Sequence, residues 1–195
     1  MPQRIVLELR DAARNHPKVE ILVGYGTATI CRLSIDPTEL PAETMARPVE
    51  VDWKPRAGGE PQKLTRWIGW EGVSPIIADA RWKYPATKDK TRITEEAAIG
   101  VMAMLIHDLE CAEVTTVLQI GSGGDYLVKI DGVVPLQVEC SGIQLDDTGS
   151  ESNKRLRKKC GQVLSKADQG IASVTAFSHG AGQGVYSFLH YTARS

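Results

Sequence analysis

The chain has 195 residues, 42% hydrophobic and 24% charged, ordinary globular usage that excludes global disorder, collagen-like repeats and coiled coils. Lys plus Arg number 23 against 24 for Asp plus Glu, which excludes a protein that coats nucleic acid by bulk charge but leaves room for local patches. No apolar run is long enough to span a bilayer, and the opening MPQRIVLELRDAARNHPK places acids and bases inside its apolar stretch, unlike a secretory signal.

A chain of this length buries roughly 70% of its unfolded surface, so it needs no disulfide or metal staple. Cys31, Cys111, Cys140 and Cys160 are scattered, with no C-x-x-C pair. They read as reduced, mostly buried thiols of a cytoplasmic protein.

In chain order, residues 5–15 (IVLELRDAARN) predict an amphipathic helix ended at His16-Pro17, because the residue before proline avoids the helical region. Residues 18–35 are rich in β-branched side chains and predict two strands around Gly24 and Gly26, or one bulged strand. From Asp36 to Pro85 the proline and glycine spacing allows only short elements. Proline concentrates in residues 1–90, along with Trp53, Trp67, Trp70 and Trp82, whereas residues 91–195 carry clean periodic segments. A soft boundary near Lys90 thus divides an N-terminal mixed α+β extension (1–90), serving substrate, partner or dimer contacts, from an α/β core (91–195).

In the core, Thr94 is placed to cap a helix over 95–109, with Glu95 and Glu96 favoured in its first turn by the helix dipole. VTTVLQI (114–120) predicts a strand; DYLVKI (125–130) and VVPLQVEC (133–140) around Asp131-Gly132 predict a hairpin. A basic amphipathic helix follows over 153–167, with Leu156, Cys160, Val163 and Leu164 inside, then strands over 171–177 and 185–193.

Side-chain alternation sets the hairpin register. With Val128 facing Leu136 and Tyr126 facing Val138, one face is wholly apolar and Asp125 stands directly across from Glu139. Like charges opposed at about 5 Å destabilise a sheet, so a proton or a cation is expected between them, and hard divalent cations favour such oxygens. At 100° per residue, Glu95 shares the face of Met102 and Ile106 and so points toward the sheet, while Glu96 points away. Three carboxylates would then form a metal cage.

The order helix–strand–strand–strand–helix–strand, with GGDY opening the second strand and VECSG closing the third, resembles the PD-(D/E)XK (restriction-endonuclease-like) nuclease superfamily over residues 94–178. The resemblance implies a Mg²⁺- or Mn²⁺-dependent endonuclease, a hydrolase acting on DNA. It matches Asp125 and Glu139 to the metal ligands, with the Cys140 carbonyl, and Glu95 to the assisting helical acid. Gly124 stands where the family has proline, and Ser141 where it has the lysine that activates water. Lysines of the second helix are the replacements, Lys158 being nearest its apolar face. Lys154, Arg155 and Lys159 would meet phosphates, and so would residues 52–92, where nine Lys/Arg face five Asp/Glu and the tryptophans offer stacking surfaces.

Two other readings are weighed. With Ser141 in the lysine slot, the fold could be an inactive subunit that binds nucleic acid or scaffolds a larger complex, and exposed sheet edges could support a homodimer. VLQIGSGGDY is also similar to motif I of S-adenosylmethionine-dependent methyltransferases. That reading needs a parallel crossover of a dozen residues, and YLVKIDG (126–132) is too short for one.

Overall fold

The computed structural model describes residues 4–20, 22–33, 46–73, 89–118, 125–130, 134–145, 149–178 and 184–194. They form an α/β fold: one mixed eight-stranded sheet with helices packed on it. In chain order the strands are β1 (Val6–Glu8), β2 (Ala46–Lys54), β3 (Gln62–Gly69), β4 (Ala112–Val117), β5 (Tyr126–Ile130), β6 (Leu136–Leu145), β7 (Gln169–Ser178) and β8 (Val185–Ala193). The helices are α1 (Ala12–Asn15), α2 (Thr27–Leu33), α3 (Lys90–Glu110) and α4 (Gly149–Lys166). Among the described residues no helix is long and apolar enough to cross a membrane.

The sheet order is β1-β3-β2-β8-β7-β6-β5-β4. The first three strands come from before Lys90 and join the rest where β2 pairs in parallel with β8. Both stretches share one core: Leu9, Val49, Ile68 and Trp70 pack in the same cluster as Val101, Leu105, Val128 and Val138. That cluster fills the space between α3 and one sheet face. A smaller one, with Ile143, Leu156, Ala172, Val174 and Ala176, lies under α4. Residues of β7 alternate between the clusters, Ile171 and Phe177 in the first and Ala172, Val174 and Ala176 in the second. Because successive strand side chains point to opposite faces, α3 and α4 cover opposite sides of the sheet.

The later elements follow the sequence reading in order: α3, three strands, α4, a strand and a further strand. The hairpin register is the one alternation predicts, with Tyr126 opposite Val138 and Val128 opposite Leu136; the expected turn at Asp131-Gly132 lies outside the described residues.

The earlier elements depart from it. Val6–Glu8 is an edge strand, and only Leu9–Asn15 is helical, ending before Pro17 as expected. Residues 22–33, read as strand, are helical: a wide turn over Leu22–Gly26 runs into α2. Burial against α3 overrides β-propensity here. Ala28, Ile30 and Leu33 enter the core, and the Thr29 hydroxyl donates to the Tyr25 carbonyl (2.7 Å) and the Ala97 carbonyl (3.2 Å). Gly100 permits that approach, since a Cβ there would lie 2.0 Å from Thr29 Oγ1. The region expected to hold only short elements instead holds β2 and β3, of nine and eight residues. Gly58 and Gly59, with φ of 87° and 113°, lie in the connection between them, where glycine adopts positive φ without steric penalty.

Helix α3 also begins earlier than predicted. Asp89, not Thr94, is its cap, accepting from the Arg92 backbone N–H at 2.9 Å. Thr94 lies inside the helix, where its hydroxyl bonds back to the Lys90 carbonyl at 2.7 Å. Between β4 and β5 the pairing is antiparallel. The parallel strand–helix–strand unit required by the methyltransferase resemblance is therefore not formed there.

Candidate functional site

The Asp125 backbone N–H donates to the Val138 carbonyl at 3.0 Å, carrying the β5–β6 pairing one residue past Tyr126. Tyr126, Val138 and Cys140 belong to the cluster beneath α3. By alternation, Asp125, Glu139 and Ser141 lie on the α4 side. The two carboxylates meet there, and a cation joins them: Lys159 Nζ is 3.1 Å from Asp125 Oδ2 and 2.8 Å from Glu139 Oε2. Lys166 Nζ holds the other oxygen of Glu139 at 3.1 Å. Asp125 Oδ2 also accepts from the Cys140 backbone N–H at 2.7 Å, which fixes its orientation.

Burial makes this cluster consequential. The side chains of Glu139 and Lys159 are only 3% and 13% exposed, against 40% for Asp125. Burial by itself lowers the pKa of the Lys159 ammonium, but its hydrogen bond to Glu139 and the charges of Asp125 and Glu139 outweigh that and leave it raised. Lys159 is therefore a charged ammonium at neutral pH. Burial, reinforced by the Asp125 charge, pushes the Cys140 thiol up to about 12, so it is a neutral packing group.

The cluster borders a cavity of about 610 Å³ that reaches from α4 past the start of β5 and the middle of β6 to α3. Arg155, Lys158, Lys159 and Lys166 line it from α4; Arg92, Glu95, Glu96 and Ile99 line it from α3, with Tyr25 beside them.

Several sequence assignments change. Lys159, assigned to phosphate contacts, is the lysine at the acid pair, whereas Lys158 is exposed along the cavity. The stripe Ser152–Leu156–Lys159–Val163–Lys166 explains this, because spacings of four and three keep one helical face toward the sheet. Ser152, Leu156 and Val163 on it are buried. From sequence the role fell to Lys158, one position off this stripe, and none fell to Lys166. Glu95 is not a third inward carboxylate: α3 covers the opposite sheet face, Glu95 is exposed, and Glu96 is the buried acid, paired with Arg92 at 2.8 Å. The face of Glu96, Gly100 and Ala103, read as turned from the core, is itself covered, by α2 at Gly100 and by His16 at Ala103, which accounts for the error. Among the described residues no group of three or more His, Cys, Asp or Glu gathers in metal-ligand geometry.

Lys154 is exposed on α4 and Arg155 is half-buried at the cavity. The tryptophans are largely committed elsewhere. Trp70 is buried, Trp53 donates to Glu110 at 2.7 Å, Arg4 sits 3.7 Å over the Trp67 ring, and Trp82 lies outside the described residues. No family model matches this chain, and neither the curated proteins nor the solved structures include a match.

Proposed function

We propose that the chain hydrolyses phosphodiester bonds of nucleic acid, DNA in the first instance, at Asp125 and Glu139 in a divergent restriction-endonuclease-like core. The observation that carries this reading is the single ammonium of Lys159 held by both carboxylates across β5 and β6. Two acids that alternation brings face to face are stable there only with positive charge between them. The element order from α3 to β7 agrees with the resemblance, and Lys159 brings from α4 the charge that Ser141 lacks.

The donors suit Mg²⁺ or Mn²⁺, since Mg²⁺ characteristically takes one or two carboxylates and completes its shell with water and substrate phosphate. Asp125 and Glu139 would hold the ion, which when bound lowers the pKa of a coordinated water and offsets charge on the scissile phosphate. The Cys140 N–H keeps Asp125 aimed. Lys159, displaced slightly from the pair, would orient the attacking water, Arg155 would hold the phosphate oxygens with its guanidinium fork, and Lys158 would add a point charge beside it.

One observation favours a second reading, a nucleic-acid-binding subunit without catalysis: both oxygens of Glu139 already have lysine partners. Titrating Mn²⁺ and Mg²⁺ while following thermal unfolding, together with cleavage of linear and plasmid DNA, separates the two. The hydrolase reading expects metal-dependent stabilisation and cleavage, both lost in Glu139→Gln. Stabilisation by DNA alone, with no cleavage in either metal, establishes the binding subunit.

A further inference from the structure

The two walls of the cavity differ in kind. The α4 wall carries four cationic side chains, Arg155, Lys158, Lys159 and Lys166. The opposite wall carries the ring of Tyr25 and the apolar Ile99, with the exposed carboxylate of Glu95 and the Arg92–Glu96 ion pair beside them, so its charges offset one another in part. Tyr25 is half-buried and meets the Tyr126 ring edge-on at a centroid distance of 6.4 Å and 88°. The contact holds Tyr25 in place at the cavity.

We propose that this cavity takes one unpaired nucleotide of the strand, its base against Tyr25 and its phosphate on the α4 wall, beside Asp125 and Glu139. A nucleotide has the same division, an anionic phosphate at one end and a flat aromatic base at the other. The volume of about 610 Å³ falls within the range of roughly 300–1,000 Å³ for small-molecule sites. A base paired in a duplex offers only its edges, so contact with the face of Tyr25 requires a base that has left the stack. Glu95 offers acceptor oxygens to an exocyclic amine. The substrate class is thus single strands, frayed ends or extruded nucleotides, not intact duplex. The choice of a nucleic-acid strand rests on the phosphodiester reading.

The test uses the full chain with deoxyadenosine 5′-monophosphate and deoxyadenosine as probes, titrated calorimetrically without metal. Tyr25→Ala is expected to weaken both about 10-fold, the scale of one stacked base, while Tyr25→Phe binds as the parent chain does. Should Tyr25→Ala fail to fold, Tyr25→Leu keeps the apolar bulk and removes the aromatic face. Lys158→Glu is expected to weaken the monophosphate severalfold and leave the nucleoside unchanged. Absence of binding by either probe, or equal losses in Tyr25→Phe and Tyr25→Ala, overturns the proposal. A second arm compares cleavage of an oligodeoxynucleotide alone and annealed to its complement, in Mg²⁺ or Mn²⁺. Faster cleavage of the single strand supports the proposal, and equal rates overturn it while leaving the hydrolase reading intact. Nucleotide binding with no cleavage of either form overturns the hydrolase reading and leaves the nucleotide pocket standing.

Discussion

Replacing Lys159 with methionine removes the ammonium between Asp125 and Glu139 while keeping an unbranched side chain of similar reach. The ammonium lies 3.1 and 2.8 Å from the two carboxylate oxygens. At an effective dielectric of about 20, unit charges about 4 Å apart attract by about 4 kcal/mol. Desolvating a lysine costs several kcal/mol, and that cost disappears with it. The substitution leaves Glu139, 3% exposed, with Lys166 as its remaining ammonium partner and restores repulsion from Asp125. The low end of the range for breaking a buried pair, about 3 kcal/mol, is the expected loss. In a chain of this size that lowers Tm by roughly 6–12 °C. The assay is thermal and urea unfolding of Lys159→Met without metal, then with Mn²⁺ added. Mn²⁺ should restore more stability to the variant than it adds to the parent chain, because in the variant it no longer competes with an ammonium. Adding Glu139→Gln should recover part of the loss, with a coupling of about 1–3 kcal/mol. A Lys159→Met chain within about 0.5 kcal/mol of the parent, the range of an ordinary surface change, refutes the reasoning.

Three further expectations follow from single residues. His16 is fully buried as a neutral ring, its Nε2–H donating to the Ala103 carbonyl at 2.9 Å and its Nδ1 accepting from the Val114 N–H at 3.0 Å; burial lowers its pKa below the usual 6.5. The unfolded chain therefore binds a proton there that the folded chain does not, so stability present above about pH 6.5 is lost as pH falls below it; urea unfolding between pH 7.5 and 5 should show this slope, reduced in His16→Gln. Gly142→Ala would put a Cβ 2.1 Å from the Thr94 carbonyl oxygen, backbone that cannot turn aside, and should cost about 1–3 kcal/mol in urea unfolding by prising the start of α3 from β6. Cys111 ends α3 with φ of 50°, a left-handed position suited to glycine, so Cys111→Gly should raise stability by about 0.5–1 kcal/mol, read as a higher Tm.

What could be read from the sequence depended on how local the deciding interaction was. The β5–β6 register follows from period-two alternation in residues 126–138 and needed nothing distant. The helical state of residues 27–33 did not, because it is decided by α3, far along the chain, whose Gly100 accommodates Thr29. Likewise Asp89 outcompetes Thr94 as a cap only once Thr94 is seen bonding back to Lys90 and accepting from Arg32. At the candidate site, Asp125 and Glu139 were legible because Glu139 sits on β6 and Asp125 directly precedes β5, in line with its pairing to β6. Which lysine serves them was not, since spacing along the helix singled out Lys158 and only the position of α4 over β6 and β7 brings Lys159 to the pair instead.

That placement also explains why a serine can occupy the third-strand position expected to hold a lysine. Ser141 and Glu139 share one face of β6, the face that α4 covers. A lysine at residue 141 would project its charge into space already reached from above by Lys159. A carboxylate pair with one member buried needs a cation at a point, not from a particular stretch of chain. Delivered from a helix, that cation approaches along the normal of the sheet, with Lys166 following two turns later on the same stripe. The pair of lysines then resists separation of α4 from the sheet as much as it neutralises Glu139. Exchange of Lys159 for a divalent ion would loosen one tether and leave the other, so metal binding and the seating of α4 are expected to be coupled. Amide exchange protection across residues 156–166, measured with and without Mn²⁺, reads that coupling directly. Protection there that is insensitive to metal, in a chain whose Tm does respond to it, would place the bound ion away from Glu139.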